Sequence, residues 1–320
     1  MMTWQKKGLI FHAQKNLSNI GLNEGFAQSP QLLDMGNFVR VYFSTRKEDF
    51  KQKYLSNVFF VDFDKKFKKV LNVSRVPVVE LGKLGAYDEH GIFPLHVRRF
   101  EGQIYGFIGG WSRRDSVSVD GAIGLAKSYD KGVTFVKESD GPILTSSVNE
   151  PFLIGDPFVV CHKKKYYMWY IYGTRWISSS ESSFPERVYK IGMASSDNLK
   201  KWNKFGRQVI PDKIGPLECQ ALPSVCFYDN IFHMVFCYRY AFGFRKKKCN
   251  AYRLGYAYSK DLINWTREDK ILNLNRSQSG WDSDMICYPH LASFDKNLFL
   301  LYNGNQFGKN GFGLAVLIKR

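Results

Sequence analysis

The sequence predicts an all-β chain built as one five-bladed β-propeller, and three observations predict it. Aromatic residues make up 16% of the 320 residues, with 26 Phe, 18 Tyr and 7 Trp, and such side chains suit pleated, half-buried surfaces. A glycine tetrapeptide recurs as IGLA (123–126), IGMA (191–194), LGYA (254–257) and FGLA (312–315). Finally, Pro30, Pro94, Pro157, Pro223 and Pro289 each sit in a short apolar segment, at intervals of 64, 63, 66 and 66 residues. A period of this length is the mark of a repeat architecture. Five such units account for residues 1–320, which are read as one domain.

Within each unit the elements follow in a fixed order. The proline segment is the first strand. An aromatic strand comes next: VRVYFST (39–45), QIYGFIGGW (103–111), KYYMWYIYGT (165–174), IFHMVFCYR (231–239) and NLFLLYNGN (297–305). The glycine tetrapeptide marks the third strand; the first unit is degenerate, with VFFVDFD (58–64) in its place. Then AKSYDKGVTF (126–135), ASSDNLKKW (194–202) and AYSKDLINW (257–265) read as turns. Their Ser and Asp side chains hydrogen-bond the local backbone, and Phe135, Trp202 and Trp265 start a fourth strand. Such a four-stranded antiparallel unit has two faces to cover, so the units stack as blades around an axis.

The formal net charge is +17, a field that favours anionic partners. No zinc-finger, RRM or helix-turn-helix pattern is present, so nucleic acid is not expected as a partner. The basic runs FDKKFKKV (63–70), CHKKKYY (161–167) and FRKKKCN (244–250) read as lysine-rich turns between strands. The six cysteines form no CxxC pair and read as reduced core thiols. The scattered histidines give no zinc spacing, and no metal or cofactor is expected. No apolar run reaches the length of a membrane-spanning helix, and MMTWQKKGLIFHAQ lacks the continuous apolar stretch of a signal peptide. A cytoplasmic location is expected.

The proline series, GDPFVV (155–160) and the S-x-D-L-x-x-W type of turn resemble the clan of glycosidase propellers that holds the arabinanases, invertases and levansucrases. The resemblance is closest to glycoside hydrolase family 43 and covers nearly the whole chain. SYDKGVTF (128–135) also fits the sialidase turn, but in one unit of five, and sialidase propellers have six blades. The resemblance implies cleavage of a glycosidic bond in a central pocket, with inversion, by two carboxyl groups. Counting back five residues from each proline gives Gly25, Glu89, Phe152, Glu218 and Asp284; counting back one gives Ser29, Phe93, Asp156, Leu222 and Tyr288. Acids from four blades are thus expected at one pocket. Glu218 is the expected general acid, since the family carries it on the inner strand of a blade after the D-P blade. Neighbouring carboxylates would raise its pKa. Asp156 matches the family's orienting aspartate. The family's base position is held here by Ser29, preceded by Gln28, and neither is a carboxylate. The base is therefore sought at Asp88, Glu89, Asp284 or Glu24.

Phosphorolysis, as in glycoside hydrolase family 130, needs an acid and an anion site but no base. Arg113, Arg114, Arg175, Arg187 and Arg239 are the expected anion ligands, because guanidinium groups pair bidentately with phosphate or carboxylate. They would serve inorganic phosphate or an acidic sugar equally. Trp111, Trp176 and Trp281 are candidate platforms for sugar rings. Gln28, His90 and Asp282 complete the expected substrate contacts. The expected partner is a carbohydrate, and hydrolysis, phosphorolysis and binding without cleavage during surface-polysaccharide assembly are the three readings.

Overall fold

A computed structural model describes residues 1–22, 25–178, 180 and 184–318. The five proline segments are first strands: Gly25–Asp34, Gly91–Phe100, Ile154–His162, Glu218–Tyr228 and Cys287–Phe294. Each touches the next around the ring, and the fifth touches the first. Second strands are the aromatic ones: Phe38–Glu48, Gln103–Ser112, Lys165–Ile177, Ile231–Tyr240 and Asn297–Asn303. Third strands are Val58–Asp64, Asp120–Ser128, Glu186–Ser196, Arg253–Ser259 and Gly311–Leu317. All pairings within a blade are antiparallel. The five-bladed propeller is therefore the fold.

The outer strands are short. Blades two to four end in two-residue strands, Val136–Lys137, Asn203–Lys204 and Thr266–Arg267, and the first blade ends in Val70–Val73. The fifth blade departs from the expected order, because its outer strand is Trp4–His12 from the N-terminal segment, paired with Gly311–Leu317. That pairing closes the ring with backbone hydrogen bonds between the two ends of the propeller. The Ser/Asp turns form as expected. Asp261 accepts from the backbone of Ile263 and Asn264 at 2.9 and 2.8 Å, and Trp265 Nε1 donates to Leu262 O at 2.9 Å.

The repeated glycine has a packing reason. A Cβ at Gly124, Gly255 or Gly313 would collide with the ring of Tyr87, Phe236 or Trp281 respectively. The third strand thus leaves a slot that an aromatic ring fills. Five apolar clusters hold the blades together, and each includes residues of adjacent blades. Such interdigitated burial, rather than any one contact, is the main stabilising term. Three thiols, Cys219, Cys237 and Cys287, lie in this core as expected; Cys161 and Cys249 are exposed, contrary to that expectation, because they sit at a hairpin and in a connection. No described helix is long and apolar enough to cross a membrane.

At each proline the inner strand carries a register shift against its neighbour. The preceding residue takes a positive φ in four blades: 46° at Ser29, 53° at Asp156, 49° at Leu222 and 52° at Tyr288. These are non-glycine residues in the left-handed region, a conformation that costs free energy and is kept only where the surroundings enforce it. A bulge of this kind re-aims a side chain, and here it re-aims the same position of four blades.

Candidate active site

The starts of the inner strands and the connections between second and third strands gather at one end of the propeller. They enclose a cavity of about 350 Å³, within the size range of small-ligand sites. Phe93, Asp156, Leu222 and Tyr288, each one residue before a proline, all line it. Its walls are aromatic as well, with Tyr54, Trp111, Tyr189 and Tyr252.

Asp156 is 5% exposed. Its Oδ2 accepts a hydrogen bond of 3.0 Å from the backbone N–H of Leu222, the corresponding residue of the next blade. Burial pushes its carboxyl up to about 7, against the opposing pull of that N–H and of the Arg187 charge. At neutral pH the group is therefore poised between acid and carboxylate. Asp120, from the third strand of blade two, is the other carboxylate that lines the cavity among the described residues, and it is ion-paired with Arg114.

Glu218 stands elsewhere. It is fully buried and is not among the cavity-lining residues. Its Oε1 accepts from Arg267 Nη1 at 2.6 Å and from Gln220 Nε2 at 2.9 Å. Its Oε2 accepts from the backbone N–H groups of Lys213 and Ile214 at 2.9 and 3.0 Å. Both oxygens are thus occupied by fixed donors. Counting back five residues crosses the bulge at the proline, where the two-residue alternation of a strand breaks. Equal spacing from the proline therefore does not give an equal facing.

The other expected acids are also outside the cavity wall. Asp88 is buried with its Oδ2 2.5 Å from Lys137 Nζ. Glu89 accepts from Gly85 N at 2.9 Å and borders a separate depression together with Arg113 and Arg114. Asp284 is partly exposed and pairs with Lys248, which lowers its pKa. Asp282 is buried and pairs with Lys6 at 2.7 Å. Glu24 lies outside the described residues.

Of the five expected arginines, Arg187 lines the cavity. Arg239 is 2% exposed and is not among the lining residues; it is packed on Phe244 and donates to the hydroxyl of Tyr189 at 3.2 Å, so it supports that wall from behind. Arg113 pairs with Asp49 at 2.7 Å, Arg114 pairs with Asp120, and Arg175 is exposed; none of the three lines the cavity. Two arginines that sequence reasoning missed do line it, Arg46 and Arg245. Arg46 lies near the end of an aromatic second strand and Arg245 follows one, which was the available signal. Arg46 rests near the rings of Phe26 and Tyr54. Its pKa is lowered by burial first, with the charges of Arg187 and Arg245 adding to the effect. Arg245 pairs with Glu186 at 2.5 Å, whereas Arg46 and Arg187 have no ion-pair partner among the described residues.

Trp111 lines the cavity, as expected of a platform. His90 stacks on its ring at 6.2 Å without lining the cavity, and burial and the Arg113 charge lower its pKa. Trp281 is packed over Gly304 and Gly313 and stacks on Tyr302 at 5.1 Å, so it fills a glycine slot. Trp176 packs against the apolar cluster shared by blades three, four and five. Gln28 is fully buried and donates to the carbonyl of Phe307.

Solved structures share this architecture. A glycoside hydrolase matches with a TM-score of 0.69 and 15% identity, covering 96% of this chain and 95% of that one. A thermostable family-43 glycoside hydrolase matches at 0.63 with 13% identity, covering 92% and 88%. The β-1,2-mannobiose phosphorylase from Listeria innocua matches at 0.64 with 12% identity, covering 92% and 89%. These likenesses bear out the fold resemblance drawn from the prolines and turns. In sequence, an uncharacterized protein from each of two strains of Mycobacterium tuberculosis is 28% identical over 316 residues, 99% of both chains. No family model matches.

Proposed function

We propose that the chain cleaves a glycosidic bond in this cavity, with Asp156 as the group that protonates the leaving oxygen. One observation carries the reading: Asp156 is a buried carboxyl on the wall of an aromatic-lined cavity, with a pKa pushed up to about 7. A carboxyl that keeps its proton near neutrality suits a general acid. The rings of Tyr54, Trp111 and Tyr252 suit the C–H faces of a sugar. In hydrolysis the second carboxyl, which takes the proton of an attacking water, would be Asp120.

A second reading is favoured by Arg46 and Arg187, which have no ion-pair partner among the described residues. Held there, inorganic phosphate would itself attack the anomeric carbon, and no base would be needed. The two readings separate in one experiment. Purified protein is offered a panel of α- and β-linked disaccharides, neutral and uronic, with and without inorganic phosphate, and free sugar and sugar 1-phosphate are both measured. Release of free sugar without phosphate supports hydrolysis, and sugar 1-phosphate appearing only with phosphate supports phosphorolysis. In either case the rate is expected to fall as pH rises through about 7, as Asp156 loses its proton. No cleavage under any condition contradicts both readings and leaves a glycan-binding propeller.

A further inference from the structure

Two of the three lysine-rich runs are hairpin turns at the end of the propeller away from the cavity. Residues 64–69 join the third and fourth strands of the first blade, with Asp64 accepting from the backbone of Lys68 and Lys69 at 2.7 and 2.6 Å. Residues 162–165 join the first and second strands of blade three. The third run, 244–250, is different. It belongs to the connection between the second and third strands of blade four, at the cavity end, and this connection is a wall of the cavity: Arg245 and Tyr252 line it. The same stretch also borders a second depression of about 780 Å³, through Lys248 and Arg253.

Among the described residues five cations line this groove, Lys213, Lys248, Arg253, Lys270 and Arg276, against one lining carboxylate, Asp269, although Lys248 is itself paired with Asp284 beside the groove. Asp269 is already engaged by Arg267 at 3.1 Å and by Lys213 at 3.0 Å. Amide and hydroxyl side chains make up about half of the remaining wall, and apolar ones such as Leu272 and Ile286 most of the rest. In sequence, Lys246 and Lys247, both exposed, lie between Arg245, which lines the cavity, and Lys248, which borders the groove; like Lys270, they form no ion pair among the described residues. Arg245 and Lys248 are three residues apart, so their Cα atoms lie within roughly 11 Å of each other. Tyr252 and Arg253 are adjacent in the chain yet face the cavity and the groove respectively.

We propose that cavity and groove form one continuous surface for an acidic oligosaccharide. Its terminal sugar sits in the cavity against Arg46, Arg187 and Arg245, and its following sugars cross Lys246 and Lys247 into the groove. This deepens the reading of the cavity given above and rests on it for the ligand being a glycan. Acid groups repeated along a chain match cations set apart along a track, and amide and hydroxyl side chains match the sugar hydroxyls between them. A single-stranded nucleic acid fits less well. Its bases want a row of open aromatic faces, whereas the one ring in the groove among the described residues, Tyr238, is 5% exposed.

The test is fluorescence anisotropy with an end-labelled tetragalacturonate, its methyl ester, galacturonate monomer as competitor and a single-stranded oligothymidylate. The wild type is compared with the triple variant Lys246→Glu/Lys247→Glu/Lys270→Glu, whose sites are exposed and whose folding is checked by its melting temperature. The tetramer is expected to bind the wild type, to weaken as salt rises, and to bind the triple variant about tenfold or more weakly, a change of about 1.4 kcal/mol or more. The monomer, which reaches the cavity alone, is expected to compete equally in both proteins. The proposal is overturned if the tetramer does not bind, if the methyl ester binds as tightly, if charge reversal leaves tetramer affinity unchanged, or if oligothymidylate binds more tightly than the tetramer. Loss of cleavage activity would refute the glycosidase reading without touching these binding results. Cleavage without charge-dependent tetramer binding would refute this proposal alone.

Discussion

Replacing Asp156 with asparagine is expected to slow turnover by about 10²- to 10⁴-fold, the usual contribution of a general acid, and at the same time to stabilise the fold. The two effects have one cause. The carboxyl is raised from 3.8 to about 7 by burial, so the folded protein holds this proton more tightly than the unfolded chain does. Stability from that proton is complete below about pH 4 and is lost as pH rises through about 7. The loss is on the order of 4 kcal/mol, at 1.36 kcal/mol for each unit of pKa. Asp156→Asn has no proton to lose, so its denaturation midpoint should exceed the wild type's at pH 8, with the gap closing towards pH 4. A variant less active yet more stable above neutrality is the signature of a group kept for chemistry. Removing the positive charge with Arg187→Gln should move the alkaline limb of the rate profile upward, since Arg187 pulls the Asp156 pKa down. A variant destabilised at every pH, with an unshifted rate profile, would make Asp156 a structural residue.

Glu218→Gln is expected to act in the opposite sense. Its carboxylate meets Arg267 at 2.6 Å, with side chains 0% and 5% exposed. Removing one partner of a buried pair costs about 3–5 kcal/mol where the other is left alone; Arg267 keeps Asp269 at 3.1 Å, which places the cost towards the lower end of that range. The denaturation midpoint should drop sharply while turnover per folded molecule stays unchanged. Replacing the pair with apolar groups of similar size, Glu218→Leu/Arg267→Met, should recover part of the loss, because neither member of the pair then remains as a buried charge without the other. Asp269 limits that recovery, since it also pairs with Arg267 at 3.1 Å. Loss of turnover in a fully stable Glu218→Gln protein would restore Glu218 as the general acid.

The blades could be read from the chain because each depends on local chemistry that repeats. Pro157 and Pro223 mark inner strands, Gly192 and Gly255 leave slots for rings, and the turns at Ser196 and Ser259 fold on their own hydrogen bonds. The exchange of Trp4–His12 into the fifth blade was less visible, because it is a contact between distant parts of the sequence with no turn to announce it. The candidate site was read in part. Counting one residue back from each proline found Asp156, Phe93, Leu222 and Tyr288, whereas counting five back found Glu218 and Asp284, which face other partners. A proline count carries no information on facing once a residue with positive φ intervenes. Arg46 and Arg245 were missed for a related reason. Their roles arise from a strand end of blade one and a connection of blade four meeting over one cavity, while Arg113, just past the second strand of blade two, is drawn to Asp49.

The most direct test of the central claim is the leaving-group dependence of Asp156→Asn on the sugar that the wild type turns over. A general acid matters only where the departing oxygen needs a proton. Asp156→Asn is therefore expected to hydrolyse the dinitrophenyl glycoside of that sugar at near the wild-type rate, while its rate on the natural sugar–sugar bond falls by about 10²-fold or more. An equal loss on both substrates would show that Asp156 holds the cavity together and that the proton comes from another group.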